Sequence, residues 1–181
     1  MSSVALVSNN PVLRESQVAH LLERVANTID ITPTEYERAK TSYETISEVV
    51  TNSADPRLAT AKVFPQGSFA IGTVIRPVDK DDGEIDVDLA CRLNATTALH
   101  PSAAKKLIGD RLSNDARYRS ILEEKSRCWR VNYAGSFHLD ICPLVSATQS
   151  DAIPDKELAR WIPTQPEAFA SWFNKLAERS F

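Results

Sequence analysis

The sequence predicts an α+β fold in which helices flank a small mixed or antiparallel sheet. Early in the chain, apolar residues recur at three- and four-residue steps, which is typical of amphipathic helices. Further along, short segments alternate apolar and polar residues, as half-buried strands do. Hairpin-like turns join these strands in place of regular strand–helix alternation, which argues for an α+β or mixed α/β arrangement. The length of 181 residues suits one domain with a hydrophobic core.

Composition is typical of a soluble globular protein, with 43% hydrophobic and 25% charged residues. The net charge of −3 does not give the overall basic footprint of proteins that bind long nucleic acids, which favours small nucleotides as ligands. No run of about eighteen apolar residues predicts a membrane span, and the N terminus lacks a signal-peptide pattern. Three cysteines at scattered spacing fit a reducing compartment: Cys91, Cys128 and Cys142. We therefore expect a cytoplasmic protein without a membrane partner.

Two helices are predicted before the first strand. The first follows Asn10-Pro11 and carries apolar residues at helical spacing, so residues 1–30 are assigned to an N-terminal helical segment. The second begins at Thr32-Pro33-Thr34-Glu35, where Thr32 is the N-cap and Glu35 closes a capping box. We expect this long amphipathic helix to run over residues 33–53 and to pack its apolar stripe on the sheet.

The first strands are predicted in the middle of the chain. Residues 60–64 form a short strand that leads into a turn at Gly67-Ser68, with residues 71–75 as its extension. The polar loop over residues 77–83 is interpreted as a solvated connection, with a flap over a nucleotide as the alternative. Residues 84–93 form the next strand because their apolar and polar side chains alternate.

Helices and strands also share the second half of the chain. We predict helices over 103–114, capped by Ser102, and over 115–127, strands over 129–133 and 137–145 joined by a turn at 134–136, and an irregular segment over 146–163. Pro143 indicates that its strand ends, or lies at an edge, near that residue. A capping box at Thr164-Gln165-Pro166-Glu167 then begins a last helix with one aromatic face, formed by Phe169, Trp172 and Phe173.

Two carboxylates share one face of the strand at 84–93. Successive side chains of a strand point to opposite faces, so Asp86 and Asp88 lie together, about 7 Å apart, and the apolar residues around them form the core face. A third aspartate, Asp140, lies in the middle of an apolar strand. Three acids near a core are costly unless a cation or a proton neutralises them. We therefore predict that Asp86, Asp88 and Asp140 bind Mg²⁺, with Mn²⁺ as the alternative, and are the catalytic residues.

The turn before this strand is the predicted phosphate site. Gly67 and Ser68 would offer backbone N–H groups and a hydroxyl to the phosphates of a nucleotide. Gln66 precedes the turn and either orients it or only flanks it. The predicted nucleotide-binding residues are therefore Gln66, Gly67 and Ser68.

Other polar residues near these positions have more ordinary interpretations. His138 shares a face with Asp140, and a satisfied polar role is favoured there over metal binding or proton relay. Glu84 is interpreted as a solvated carboxylate at a strand start, with an outer position around the metal as the alternative. Among the arginines, Arg130 is the best candidate to meet phosphate because it lies on a neighbouring strand.

The residues of the predicted site resemble those of a known family. Gly67-Ser68 followed by Asp86-Val87-Asp88 resembles the signature of the polymerase-beta-like nucleotidyltransferase superfamily. The wider string QGSFAIGTVIRPVDKDDGEIDVDL resembles bacterial CD-NTases, the cGAS/DncV-like nucleotidyltransferases. The resemblance covers most of residues 30–176. It implies a long helix as a spine behind the sheet, a catalytic core over residues 31–163, and over residues 164–181 the start of a C-terminal helical half that we expect to be truncated.

The resemblance also implies an activity. Members of this family join nucleoside triphosphates, such as ATP and GTP, into cyclic di- or trinucleotide second messengers of anti-phage defence. The implied roles are those of a two-metal enzyme: Gly67 and Ser68 as the Gly-Ser motif, Asp86 and Asp88 as the paired aspartates, and Asp140 as the third. The implied partners are nucleoside triphosphates and regulatory or effector proteins of a defence operon.

Two other functions stay open at this point. One is a nucleotidyltransferase that modifies RNA or a protein, as an antitoxin does. The other is a nucleotide-binding fragment that is inactive without its C-terminal half. The aromatic face of the last helix also predicts self-association.

Overall fold

Helices and a single mixed sheet make up the architecture, seen in a computed structural model that describes residues 11–76, 84–134 and 137–178. The polar loop predicted at 77–83 therefore lies outside the described residues, as do Asn10 and most of the turn at 134–136. The helices are α1 Pro11–Ile29, α2 Pro33–Thr51, α3 Pro56–Ala59, α4 Gly67–Ile71, α5 Pro101–Ser113 and α6 Pro166–Ala177. The strands are β1 Lys62–Pro65, β2 Ile85–Thr96, β3 Leu122–Glu124, β4 Trp129–Tyr133, β5 Phe137–Ser146, β6 Asp151–Pro154 and β7 Trp161–Thr164. The α+β fold class is confirmed.

The capping box predicted for the second helix is confirmed atom by atom. The backbone N–H of Glu35 donates to Thr32 Oγ1 over 3.2 Å, and the backbone N–H of Thr32 donates to Glu35 Oε2 over 2.7 Å. These two bonds satisfy two of the N–H groups that a helix start leaves without a partner. The helix then buries an apolar stripe that includes Ile46 and Val50, both 0% exposed, and so lies against the core as expected.

The sheet is organised around two long parallel strands, β2 and β5. Its order is β1-β2-β5-β4-β3, with β6 on β5 and β7 on β6, and every pairing other than β2–β5 is antiparallel. One face of the parallel pair supplies the centre of the core, where four side chains are fully buried: Val87, Leu89, Leu139 and Ile141. The other face of the same strands therefore carries their polar residues.

The predicted extension of the first strand over residues 71–75 is wrong. After β1 the chain enters the short helix α4, whose first residue is Gly67. Phe69 drives this change because its ring is buried and stacks on Tyr36 of α2, with 4.9 Å between the ring centroids. Packing of one aromatic side chain thus outweighs the β-branched residues that suggested a strand.

The predicted helix over 115–127 is also wrong. Successive turns replace it, since the backbone N–H groups of Tyr118 and Ile121 donate to carbonyls three residues earlier. Asp115 starts these turns by accepting from the backbone N–H of Arg117 over 3.0 Å. Leu122–Glu124 then pair with β4. Tyr118, Ile121 and Leu122 contact the core as predicted, but turns produce the same spacing as a helix over so short a segment.

Three further predictions for the second half of the chain are corrected by the structure. The segment 146–163 is not irregular, because it contains β6 and most of β7, which form a hairpin. The capping box at Thr164 is wrong, since Thr164 pairs with Asp151 in that hairpin and the N-cap of α6 is Gln165. Helix α5 begins at Pro101 after His100, whose Nδ1 accepts from the backbone N–H of Ser102, so Ser102 is not the cap.

Pro143 does not end its strand, which continues to Ser146. Strand β4 pairs with β5 as far as Ile141, and β6 pairs with it from Val145. Pro143 therefore lies in the gap between two antiparallel partners, where the missing N–H of proline costs no ladder hydrogen bond on that side.

Candidate functional site

The candidate site forms on the polar face of β2 and β5. Their parallel register places Asp88 beside Asp140 and Asp86 beside His138. Strand β4 lies on the other side of β5 and places Arg130 beside Asp140. The three predicted aspartates are therefore brought together, although 52 positions separate Asp88 from Asp140 in the sequence.

Asp88 is partly buried and lies close to two other carboxylates. Burial, together with the negative charges of Asp86 and Asp140, raises the pKa of its carboxyl to about 6. Its backbone carbonyl accepts a hydrogen bond of 2.8 Å from the N–H of Gln66. A nearby cation would stabilise the ionised form of this carboxylate, because its positive charge would offset the cost of burial and the repulsion from the other two carboxylates.

The Gly67-Ser68 motif lies directly against Asp88. Gly67 has a φ of +59°, and a Cβ atom at this position would lie 2.8 Å from Asp88 Oδ2. Glycine is required here for both reasons, since other residues rarely adopt this conformation and none could fit against the carboxylate. Gln66 and Gly67 thus border Asp88, the role of Gln66, Gly67 and Ser68 in nucleotide binding stays a prediction, and no side-chain bond from Gln66 caps α4.

His138 lies close to two carboxylates of the site, which agrees with the satisfied polar role favoured from the sequence. Its Nε2 lies 2.8 Å from Asp86 Oδ1, and its Nδ1 lies 3.7 Å from Glu84 Oε2. The side chain of His138 is only 13% exposed. One ligand atom each from Asp86, His138 and Asp140 can be chosen so that all three lie within 4.8 Å of one another. The alternation of β5 already placed His138 on the face of Asp140, which was the signal that it lies close to the aspartates.

Arg130 binds Asp140 through two parallel hydrogen bonds. Its Nε and Nη2 donate to Oδ1 and Oδ2, each over 2.7 Å. The carboxylate raises the pKa of the guanidinium above its ordinary value. Arg130 thus meets a carboxylate of the site in this structure, and its contact with a phosphate, for which it was only the best candidate among the arginines, stays untested.

The charges of this cluster do not balance. Asp86, Asp88 and Asp140 contribute three carboxyl groups, whereas Arg130 supplies one fixed positive charge in direct contact. Carboxylate oxygens are the ligands that Mg²⁺ and Mn²⁺ prefer, and with all three carboxyls ionised the two negative charges left over match one divalent ion. The donor set therefore fits the predicted metal.

A group of ion pairs holds the last helix on the same face of the sheet. Arg92 follows Asp88 along this face of β2, and its guanidinium binds Asp151 of β6 and Glu167 of α6. Glu167 also accepts from Lys62 Nζ over 2.7 Å. Helix α6 packs against α4 as well, so its position is coupled to that of Gly67.

The outer face of α6 is apolar and open. Phe169 is 52% exposed and Trp172 is 57% exposed, and their rings lie 5.8 Å apart. The self-association predicted from this face stays a prediction. Within the residues described, none of the helices has the length and apolar character needed to cross a membrane.

Comparison with known proteins agrees with this architecture. Residues 16–176 match the family described as the Second Messenger Oligonucleotide or Dinucleotide Synthetase domain, SMODS. A c-di-GMP synthase from Roseivirga ehrenbergii is 31% identical over 172 residues, a match that covers 91% of this chain and 45% of that protein.

Solved structures give the same result for the fold. The CD-NTase CdnG of Bradyrhizobium diazoefficiens, solved in complex with GTP, has a TM-score of 0.74 at 24% identity over 92% of this chain and 48% of its own. DncV of Vibrio cholerae in its apo form has a TM-score of 0.64 at 17% identity, covering 86% of this chain and 59% of its own. The chain thus spans about half the length of the relatives that it matches.

Proposed function

Since this chain belongs to the SMODS family of bacterial CD-NTases, we propose that it joins nucleoside triphosphates into a cyclic di- or trinucleotide. The observation that carries the proposal is the convergence of Asp86, Asp88 and Asp140 on one face of β2 and β5, directly against Gly67. Nucleotidyl transfer needs this combination, because a metal–carboxylate centre must lie next to a site for phosphates.

In the proposed reaction, a ribose hydroxyl of one nucleotide attacks the α-phosphorus of a triphosphate. A new phosphodiester bond forms, the bond to the β-phosphate oxygen breaks, and pyrophosphate leaves. In the last transfer, a ribose hydroxyl at the other end of the linear product attacks the α-phosphorus of its own triphosphate, which closes the ring and releases a further pyrophosphate. Bound Mg²⁺ or Mn²⁺ would lower the pKa of the attacking hydroxyl and would neutralise negative charge on the leaving pyrophosphate.

The chain's own residues would position the reactants. Asp86 and Asp88 would hold the ion that accompanies the triphosphate, and Asp140 would complete the second position. The backbone N–H groups and the hydroxyl at Gly67-Ser68 would meet the phosphates, since the motif borders Asp88. Gln66 would hold the start of this motif next to β2, because its backbone N–H donates a hydrogen bond to the carbonyl of Asp88.

Guanine nucleotides are the substrates to test first. The relative from Roseivirga ehrenbergii is a c-di-GMP synthase, and CdnG was solved with GTP. ATP and other triphosphates follow as the comparison set. A signalling role in anti-phage defence, with regulatory or effector proteins as partners, is supported by the resemblance to CD-NTases.

The test is turnover of labelled triphosphates with Mg²⁺ or Mn²⁺. We expect a product that resists phosphatase, and we expect the double variant Asp86→Asn/Asp88→Asn to reduce its formation about a thousandfold, because each metal interaction supplies several kcal/mol in the transition state. The matched control is Asp110→Asn, which removes an exposed carboxylate that pairs with Lys106 on α5. Equal turnover by the double variant and the control would contradict the assigned roles.

A second candidate function follows from the length of the relatives. Because the chain spans about half of them, it could bind nucleotide and turn it over only together with a further polypeptide segment. Equilibrium binding of GTP and ATP distinguishes the two functions. Binding without turnover, lost in the double variant, would favour the second function, whereas turnover by the chain alone would favour the first.

A further inference from the structure

The ligand set around Asp86 contains a nitrogen atom that a site for Mg²⁺ alone would not need. Mg²⁺ is bound in proteins almost entirely through oxygen. Imidazole nitrogen is instead a common ligand of transition-metal ions, whose affinities for a given site rise along the series from Mn²⁺ towards Cu²⁺. His138 Nε2 lies among the carboxylate oxygens of Asp86 and Asp140, with all three ligand atoms within 4.8 Å of one another.

The separation of two of these atoms suits a shared ion. His138 Nε2 and Asp86 Oδ1 lie 2.8 Å apart. Two ligands about 2.1 Å from one metal ion at a right angle would lie about 3 Å apart. A shift of a few tenths of an ångström therefore brings both atoms to coordination distance.

Glu84 would set the tautomer of His138. Its Oε2 lies 3.7 Å from Nδ1, whereas Asp86 lies next to the other ring nitrogen, Nε2. A carboxylate that accepts the N–H of one ring nitrogen leaves the other nitrogen with its lone pair free for a metal. The Glu84 side chain is 38% exposed and can rotate to close this distance.

Arg130 does not prevent Asp140 from taking part. A carboxylate has about four lone-pair positions on its two oxygens. The two bonds from Arg130 use one position on each oxygen. Asp140 can therefore bind an ion and keep contact with the guanidinium.

We infer that Asp86, His138 and Asp140 form a mixed nitrogen–oxygen site that prefers Mn²⁺ and related transition metals to Mg²⁺. The inference deepens the proposed function, since it concerns the same carboxylates. It adds His138 as a metal ligand and Glu84 as the residue that orients it. The selectivity arises from the nitrogen atom, because the oxygen ligands alone would accept either ion.

The test is Mn²⁺ binding to the full chain without nucleotide, measured by electron paramagnetic resonance after removal of any polyhistidine tag. We expect electron spin-echo modulation from a directly bound ¹⁴N nucleus in the wild-type protein. His138→Asn should abolish this modulation and reduce the preference for Mn²⁺ over Mg²⁺ about tenfold. Glu84→Gln should keep the modulation and weaken Mn²⁺ binding about tenfold, as loss of an outer partner does.

The matched control is His20→Asn, since His20 is an exposed histidine on α1 and should leave every reading unchanged. Bound Mn²⁺ without nitrogen modulation in the wild type would overturn the inference, as would an unchanged metal preference in His138→Asn. The wild-type spectrum needs no variant to fold, and no reading depends on turnover. Failure of this site is therefore distinguishable from failure of the proposed synthesis.

Discussion

At the scale of single residues, the site depends on direct contacts between neighbouring side chains. Gly67 touches Asp88, Asp86 touches His138, and Asp140 is bound at both oxygens by Arg130. Each contact joins residues that are distant in sequence or lie on different elements. A substitution at any one of them should therefore affect its partner as well as itself.

Gly67→Ala is the sharpest test at this scale. Its Cβ would lie 2.8 Å from Asp88 Oδ2, and alanine also disfavours the left-handed backbone, which costs about 1–3 kcal/mol. We expect a lower free energy of unfolding and a large loss of nucleotide binding and turnover, because Asp88 must move. Thermal unfolding and nucleotide titration measure the two effects.

Gly72→Ala is its matched control. Gly72 has a similar φ of +67°, but a Cβ there meets nothing within 4 Å. Both variants therefore carry the backbone strain, and only Gly67→Ala displaces Asp88. If both lost nucleotide binding equally, strain in α4 would explain the result and the contact with Asp88 would not.

At the scale of elements, helix starts and strand registers decide where the site lies. The capping box of Thr32 and Glu35 begins α2, and Tyr36 in its first turn stacks on Phe69 of α4. The start of α2 is thereby linked to the element that carries Gly67. Loss of stability at the start of α2 should consequently affect the position of Gly67.

Thr32→Ala should lower the free energy of unfolding by about 1 kcal/mol at neutral pH, the usual cost of a lost N-cap. The hydrogen bonds from Thr32 lower the pKa of Glu35 below its ordinary 4.5. A depressed carboxyl pKa stabilises the folded state above the ordinary value, and this contribution disappears as the pH falls through the folded-state pKa. The difference between wild type and Thr32→Ala should therefore shrink below about pH 4.5.

Denaturant unfolding at pH 7 and pH 3 measures this difference. Thr41→Ala is the control, because Thr41 is an exposed residue in the middle of the same helix. Its replacement should cost nothing, since alanine favours helix formation. A Thr32→Ala effect that stayed constant with pH would show that the Glu35 carboxylate contributes nothing to the cap.

At the scale of the whole molecule, one set of ion pairs connects the sheet with α6. Arg92 of β2 binds Asp151 and Glu167, and Glu167 also binds Lys62 of β1. Because α6 packs on α4, these pairs connect the end of the described chain with the site. Glu167 is 43% exposed, and single exposed ion pairs contribute only about 0–1 kcal/mol, so the loss of its pairs should affect mainly local mobility.

Glu167→Gln should therefore speed amide hydrogen exchange in α6 and α4 while changing the global unfolding free energy by less than about 1 kcal/mol. Hydrogen exchange followed by mass spectrometry measures the two segments separately. Asp110→Asn breaks an exposed ion pair with Lys106 elsewhere and should leave both segments unchanged. Unchanged exchange in Glu167→Gln would show that packing alone holds α6.

Local patterns in the sequence determined much of this protein. Alternation along β2 determined that Asp86 and Asp88 share a face, and Thr32-Pro33-Thr34-Glu35 determined the start of α2. These features depend only on the geometry of neighbouring residues, which the order of side chains reveals directly. The Gly67-Ser68 motif was recognisable for the same reason, although the helix that begins at Gly67 was not.

Only the tertiary structure decided how distant segments meet. The parallel register of β2 and β5 places Asp140 beside Asp88 and His138 beside Asp86, and β4 adds Arg130. A register between strands far apart in sequence is set by packing of the whole core, because a slip of one residue would turn every side chain to the opposite face. The composition of the site, and the inclusion of His138 in it, therefore depends on the fold, whereas the paired aspartates themselves could be identified from the sequence.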